Sequence, residues 1–306
     1  MLAVAGVCVA LLSSSAVQAG SDSSFQDSAP SPTGRAEPRP SANLETRSRP
    51  LPRQDGAAGP VASPLDHAHE LFYSGHYSDA SATALAIRAQ APDNLATYEL
   101  RTSAIHFQIR RALGEPADKD KAFKACAECA NLMKVFLEDT SAGRQLARAR
   151  VEKDPHDVEA LFFLGKIDLN YVWLQLGTLG KRTGWNEYRE ARRSLDEALK
   201  LDPKHTRARV ARAWIDYIVD TRVTWGFRWV LGGGDKKKAL AVMHEVAANT
   251  TDRFERTEAL FGLWEMSIRE KKLDDAVAAA KILAADFPEN RELAKFLAAP
   301  AASIKK

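Results

Sequence analysis

The chain has few of the residues on which covalent chemistry and membrane insertion depend. Three cysteines occur in 306 residues, and Cys8 lies in an apolar N-terminal stretch. If that stretch is removed, a disulfide must join Cys126 to Cys129 or to another molecule. No segment alternates apolar and polar residues as a half-buried strand does. Beyond the N-terminus no run reaches the ~20 apolar residues needed to cross a bilayer. Neither charge sign dominates: 43 Lys and Arg against 40 Asp and Glu give +3, which does not point to nucleic acid. A G-x-S-x-G elbow, a phosphate loop ending in Lys-Ser or Lys-Thr and a dinucleotide fingerprint are all missing. No catalytic residue, cofactor site or metal site is therefore assigned, and the expectation is a protein that is not an enzyme.

What the chain does contain is a repeat. Pro155, Pro203, Thr251 and Pro288 close successive units, two of 48 residues and one of 37. A period of this size signals stacked helix pairs that cannot bury their apolar faces alone. Ala, Leu, Lys, Arg and Glu are frequent and favour helix. In the last unit Leu260, Leu263 and Trp264 line one helix, Ala276 and Ala280 face it, and Pro288 ends the pair after Phe287. An earlier unit shows Leu161, Leu164, Gly165, Tyr188, Ala191, Leu195, Ala198 and Pro203, and an N-terminal one Ala68, Gly75, Tyr77, Ala80 and Pro92. Small residues at these places let helices approach closely, and proline ends a helix because it lacks an amide hydrogen.

These residues and intervals resemble the tetratricopeptide-repeat superfamily over roughly residues 62 to 298, more weakly between Asn94 and Asp154; Trp264 departs from the usual small residue. The resemblance implies an all-α fold, a right-handed superhelical solenoid of helical hairpins. Two hairpins are extended, because 20 residues separate Asp168 from Tyr188 and Asp216 from Lys236 where the family has about six. The insertions, through Tyr171, Trp173, Leu176, Leu179 and Trp185 and through Val219, Val223, Trp225, Phe227 and Trp229, are expected to form hairpin extensions stacked as a second layer. Asp168 and Asp216 occupy places where the family has a large aromatic. Each is expected to pair with a basic residue of the adjacent insertion.

Residues 1–19 read as an export signal, apolar up to Ala16 with small residues around Ala19, although no Lys or Arg precedes the apolar run. Residues 20–64 carry eight of the 14 prolines and read as a disordered Pro/Ser-rich linker. A helical repeat domain over 65–298 and a flexible tail over 299–306 complete the expected organisation. The expected location is periplasmic or secreted, without a permanent membrane span once the signal is cleaved.

Cys126 and Cys129, in an Ala-rich run, are read first as filling a packing seam on one helix face, with a disulfide or thiol exchange as the alternative. His67, His69, Glu70 and His76 lack the spacing of a helical zinc site and are read as surface or groove residues. Gly232-Gly-Gly-Asp235 reads as a turn followed by a helix cap. The stripes Arg144, Arg148, Arg150 and Arg207, Arg209, Arg212 read as solvated faces or intrahelical pairs.

In tetratricopeptide-like proteins the first helices line a concave groove. By the register above, the expected groove residues here are Phe72, Phe162, Lys166, Trp214, Tyr217, Phe261 and Glu265, aromatic and apolar with few charges, unless the C-terminal helix around Leu293 to Leu297 covers some of them. The function expected is a noncatalytic exported scaffold that holds a protein or peptide partner. Gly233, Gly234, Asp235 and Ala239 also resemble the T-component proteins associated with periplasmic TRAP-type transporters. That likeness implies the alternative, a periplasmic component binding a small molecule or lipid.

Overall fold

Proline and a short polar side chain, two residues apart, set the boundaries of the helices. In the computed structural model, which describes residues 63–223 and 225–300, Pro92, Pro155, Pro203 and Pro288 each precede by two positions a helix cap: Asn94, Asp157, His205 and Asn290. Proline stops one helix, and two residues later a side-chain acceptor takes an amide hydrogen that the next helix leaves unpaired. Asp157 accepts from Ala160 at 2.9 Å, and the neutral Nδ1 of His205 does the same for Ala208 at 3.2 Å. Asp235 accepts from Lys238 at 2.9 Å, so the Gly-Gly-Gly-Asp segment is the turn and cap that its composition indicates. Ser63 and Asp66 form a reciprocal capping box. Pro64 is thereby the first residue of a helix instead of the last of a linker. The proposed signal, the rest of the linker and residues 301–306 lie outside the described residues.

Twelve α-helices occupy the described residues: α1 (Pro64–Tyr73), α2 (Tyr77–Gln90), α3 (Leu95–Leu113), α4 (Lys119–Ala125), α5 (Cys129–Lys153), α6 (Val158–Val172), α7 (Trp185–Leu201), α8 (Thr206–Arg222), α9 (Lys236–Asn249), α10 (Arg253–Arg269), α11 (Leu273–Asp286) and α12 (Arg291–Ala298). Neighbours in sequence pack antiparallel, and α1, α3, α6, α8 and α10 also touch one another in that order. The apolar core falls into several clusters spread along the helices, with Leu100 and Ile105, then Phe162 and Ile215, then Met266 and Leu283 among their nearly inaccessible members. Burying a side chain of this size contributes about 1.5–3 kcal/mol.

Close approach is made by glycine. A Cβ on Gly165 of α6 would stand 2.7 Å from Cγ of Leu195 on α7, and one on Gly262 of α10 would stand 2.9 Å from Sδ of Met243 on α9. Leu195 and Met243 are 48 residues apart and both fully buried. Trp264, where a small residue is expected, packs edge-on against Phe296, and α12 covers that end with Leu293 and Phe296 buried.

The first described helix meets the last ones. Tyr73 of α1 stacks on Phe254 and Phe261 of α10 and touches Phe287, while the Asn290 amide donates to the Tyr73 carbonyl at 2.7 Å. Arg253 reaches Glu70 at 2.6 Å, and His76 meets Glu289 at 2.6 Å.

Three expectations are corrected. The insertions do not build a second layer of helical hairpins. The first continues α6 as a π-helical turn, Trp173–Thr178, whose Leu174 lies buried with Ile105, Ile109 and Phe136, and whose Gly177 carbonyl accepts from Lys119 at 2.8 Å. The second makes a 3-10 turn, Trp225–Phe227, and then lies on α7, where the Tyr188 hydroxyl donates to the Leu231 carbonyl at 3.0 Å and Arg192 donates to those of Leu231 and Gly232. Left-handed glycines at 180, 184, 232 and 233 turn the chain before another helix pair can form. Secondly, Cys126 and Cys129 do not share a helix: α4 ends at Ala125, Cys126 is extended, and the two are joined as a disulfide. Finally, the arginine stripes are mostly neither solvated faces nor intrahelical pairs, although Arg212 does pair with Asp216 of its own helix. Arg144, Arg148, Arg207 and Arg209 reach carboxylates of other helices.

Replacing Gly165 by valine should destabilise the fold by about 1–3 kcal/mol, because the added carbons overlap Leu195. Gly177→Ala is the control: nothing lies near its Cβ position and its φ is not left-handed. Urea denaturation followed by far-ultraviolet circular dichroism distinguishes the two; equal midpoints would contradict the close α6–α7 packing.

Candidate functional site

Four helices each contribute one charge to a single buried cluster. Glu99 on α3, Lys166 on α6, Arg207 on α8 and Glu258 on α10 alternate in sign around a closed circuit. Lys166 Nζ is 2.6 Å from one Glu258 oxygen and 3.8 Å from Glu99, and Arg207 is 3.2 Å from Glu99 and 3.4 Å from the other Glu258 oxygen. Glu99 is 5% exposed at its side chain and Glu258 13%, so these charges are largely removed from water. The remaining valences are filled locally. Ser103 donates to Glu99 at 3.1 Å, Asn170 of α6 donates to the Glu99 carbonyl and to Ser103, and the Arg207 guanidinium lies over the Phe162 ring at 4.9 Å.

The electrostatics follow from mutual compensation. Burial alone would raise the Glu258 carboxyl, but the Lys166 ammonium and Arg207 guanidinium beside it hold it down at about 2. Burial likewise opposes the charge on Lys166 and Arg207, yet the two carboxylates outweigh it and both cations are held more firmly protonated. His69 of α1 faces this cluster, and burial together with Arg207 lowers its pKa. The Tyr73 hydroxyl is pushed well up by burial, with Glu258 adding to the effect. Four formal charges therefore sum to zero with each carboxylate engaged by both cations. Such a cluster fixes the angle between helices and offers no free group to a substrate.

The positions expected to line a groove are thereby redistributed. Lys166 belongs to the circuit. Phe162 is buried beneath Arg207, and Tyr217 is wholly inaccessible, its hydroxyl 3.1 Å from Glu270. Phe72 packs on Tyr77 and Phe107. Trp214, Phe261 and Glu265 remain half-exposed on α8 and α10, Phe261 stacked on Tyr73 and Glu265 paired with Arg269. Instead of a groove with few charges, the contact line of α3, α6, α8 and α10 is sealed by ions. Sequence reasoning missed Glu99, Arg207 and Glu258. Their only signal was one charge on each of α3, α6, α8 and α10, negative at the two ends and positive at the two between; Glu99 lies where the repeat pattern is weakest and Arg207 within a basic stripe.

A second network surrounds Asp168, which has no exposed surface. Its partner is Arg144 of α5, whose Nε stands 2.7 Å away, and not a base from the insertion. Arg144 also reaches Glu190 at 3.0 Å and Glu187 at 3.3 Å, and Arg148 chelates Glu190. Asp216 is held by Arg212 of its own helix at 2.6 Å. The insertion supplies Arg228 instead to Asp220. Burial pushes the Asp168 carboxyl up to about 8 against the pull of Arg144, while Arg148 and Arg144 overcome burial at Glu190 and hold it at about 2. An open cleft of about 750 Å³ lies above, lined by Arg148, Asn186, Glu187, Arg189 and Arg193. Among the described residues no three metal-ligating side chains converge.

No protein-family model matches the chain, and no curated protein matches it.

Glu258 is depressed on folding, so its contribution is complete above its ordinary pKa of 4.5 and is lost as pH falls toward 2. Glu258→Gln should lower stability at neutral pH by on the order of 3 kcal/mol, and the gap to wild type should close in acid. Asp168 has the opposite sign: its raised pKa makes the native state lose stability as pH rises from the ordinary 3.8 toward 8. Asp168→Asn should flatten that decline. Urea midpoints measured from acid to mildly alkaline pH check both, and parallel profiles for wild type and variants would contradict them.

Proposed function

We propose that the helices are successive tetratricopeptide-type hairpins wound as a right-handed superhelix, and that the protein is an exported scaffold holding a protein or peptide partner without transforming it. The order in which α1, α3, α6, α8 and α10 touch supports the repeat reading. So do Leu195 and Met243, one unit apart and each set against a glycine of a first helix. The observation that carries the functional part is the aromatic surface left over after the ionic circuit has sealed the centre. Trp214, Phe261 and Trp264 lie half-buried on adjacent helices, with Glu265 beside them. Aromatic anchors of this kind supply most of the energy of a peptide interface at little conformational cost. Phe162, Lys166 and Tyr217 act in the architecture, and Phe72 lies apart from the anchor row.

A second reading rests on one atom. Trp264 Nε1 is buried without a hydrogen-bond acceptor. A small molecule or lipid carrying an acceptor would satisfy it, as expected of a periplasmic ligand-binding component associated with a transporter.

A photo-crosslinking amino acid at position 214, expressed in the native host, should give a covalent adduct to a polypeptide, whereas the same group at Leu201 on α7 should not. Phe261→Ala should reduce the adduct by about tenfold. Absence of a polypeptide adduct, with a small organic molecule retained by the purified protein in native mass spectrometry, would replace the scaffold reading by the second.

A further inference from the structure

The segment between α8 and α9 presents large aromatic side chains to water on a backbone that is firmly held. Trp225 is 83% exposed and Trp229 78% exposed, and Val230 beside them is also largely open. Flexibility does not account for this. Asp220 of α8 binds the Arg228 guanidinium and also accepts from the Lys236 amide at 2.9 Å; Arg228 Nε donates to the Val223 carbonyl at 3.0 Å. Tyr188 and Arg192 of α7 grip the carbonyls of Leu231 to Gly233 from the other side. The tip is built, and what it displays is two indoles.

The charge around the tip has one predominant sign. Arg222 ends α8, and Lys237 and Lys238 open α9, so both helix ends that flank the segment are basic. None of the three makes an ion pair among the described residues, unlike Arg228 and Lys236, which are spent on Asp220 and Glu270. The acidic groups that flank the segment in sequence are both engaged, Asp220 by Arg228 and the Lys236 amide and Asp235 as the cap of α9.

We propose that this tip docks the protein on an anionic lipid surface, Trp225 and Trp229 entering the headgroup region and Arg222, Lys237 and Lys238 meeting lipid phosphates. Protruding indoles suit a medium that yields around them, because the ring is apolar and the N–H still finds an acceptor at headgroup depth. Unpaired cations at the same end supply attraction to a negative leaflet. The site is separate from the Trp214 and Phe261 surface, so the two readings stand or fall independently.

The test uses the full chain with vesicles of phosphatidylcholine alone or with about one third phosphatidylglycerol, a composition chosen to give a negative surface. Comparing variants in the full-length background cancels any contribution of the N-terminal apolar stretch. Wild type should partition about tenfold more strongly onto the anionic vesicles, and lipids brominated near the headgroup should quench part of its tryptophan fluorescence. Trp225→Ala/Trp229→Ala should abolish that quenching and reduce partitioning about tenfold. Lys237→Glu/Lys238→Glu should remove the preference for anionic lipid. Both pairs of substitutions lie at exposed positions, and unchanged circular dichroism and urea midpoints verify the fold. Equal partitioning of wild type and the tryptophan variant would overturn the proposal. So would crosslinks from position 225 to a polypeptide with no quenching by lipid.

Discussion

Four desolvated charges hold the inner helices at fixed angles, and the remaining packing is arranged around that constraint. Once Glu99, Lys166, Arg207 and Glu258 leave water, each requires opposite charge at contact distance, since an isolated buried ion would be strongly unfavourable. The alternating circuit satisfies all four at once, and it does so only if α3, α6, α8 and α10 stand where they do. Apolar packing is tolerant of small shifts, whereas a two-by-two ionic arrangement is not. The apolar core supplies the driving force, and the circuit selects among the packings that would bury similar area.

The same circuit occupies faces of α3, α6, α8 and α10 that would otherwise be open. A helical repeat normally offers the faces of its first helices to a guest. Here those faces converge on neutralised charge, with Phe162 beneath Arg207 and Tyr217 tied to Glu270. Tyr73 meanwhile joins the N-terminal hairpin to α10. The surfaces proposed for recognition lie outside the circuit: the half-exposed aromatics of α8 and α10 and the displayed indoles between α8 and α9. Both belong to or adjoin helices that the circuit joins, so each proposed surface and its support are made by the same elements.

Much of the local structure was legible in residue order. The pairs Pro92 with Asn94, Pro155 with Asp157, Pro203 with His205 and Pro288 with Asn290 are stop-and-start signals readable without coordinates, and the glycines before Asp235 announce a turn and a cap. The insertions were visible as extra length, but their form was not. A six-residue π-helical turn and a 3-10 turn satisfy the same hydrophobic pattern as a hairpin, and the choice was made by the surfaces available on α3 to α5 and on α7. The helix break at Cys126 was likewise hidden, because an Ala-rich run gives helix propensity no reason to stop.

By itself the order of residues determined that the described chain is helical, where the helices bounded by a proline and a cap begin and end, and that Asp168 to Tyr188 and Asp216 to Lys236 span the same interval. These depend on interactions within a few residues: the 3.6-residue period, the missing amide of proline and the reach of a cap. Tertiary structure alone decided that Arg207 meets Glu99 across 108 positions, that Lys166 meets Glu258 across 92, and that Asn290 returns to Tyr73 across 217. A charge on an amphipathic helix reads the same whether water or an opposite charge awaits it. Only the packed neighbours supply that difference.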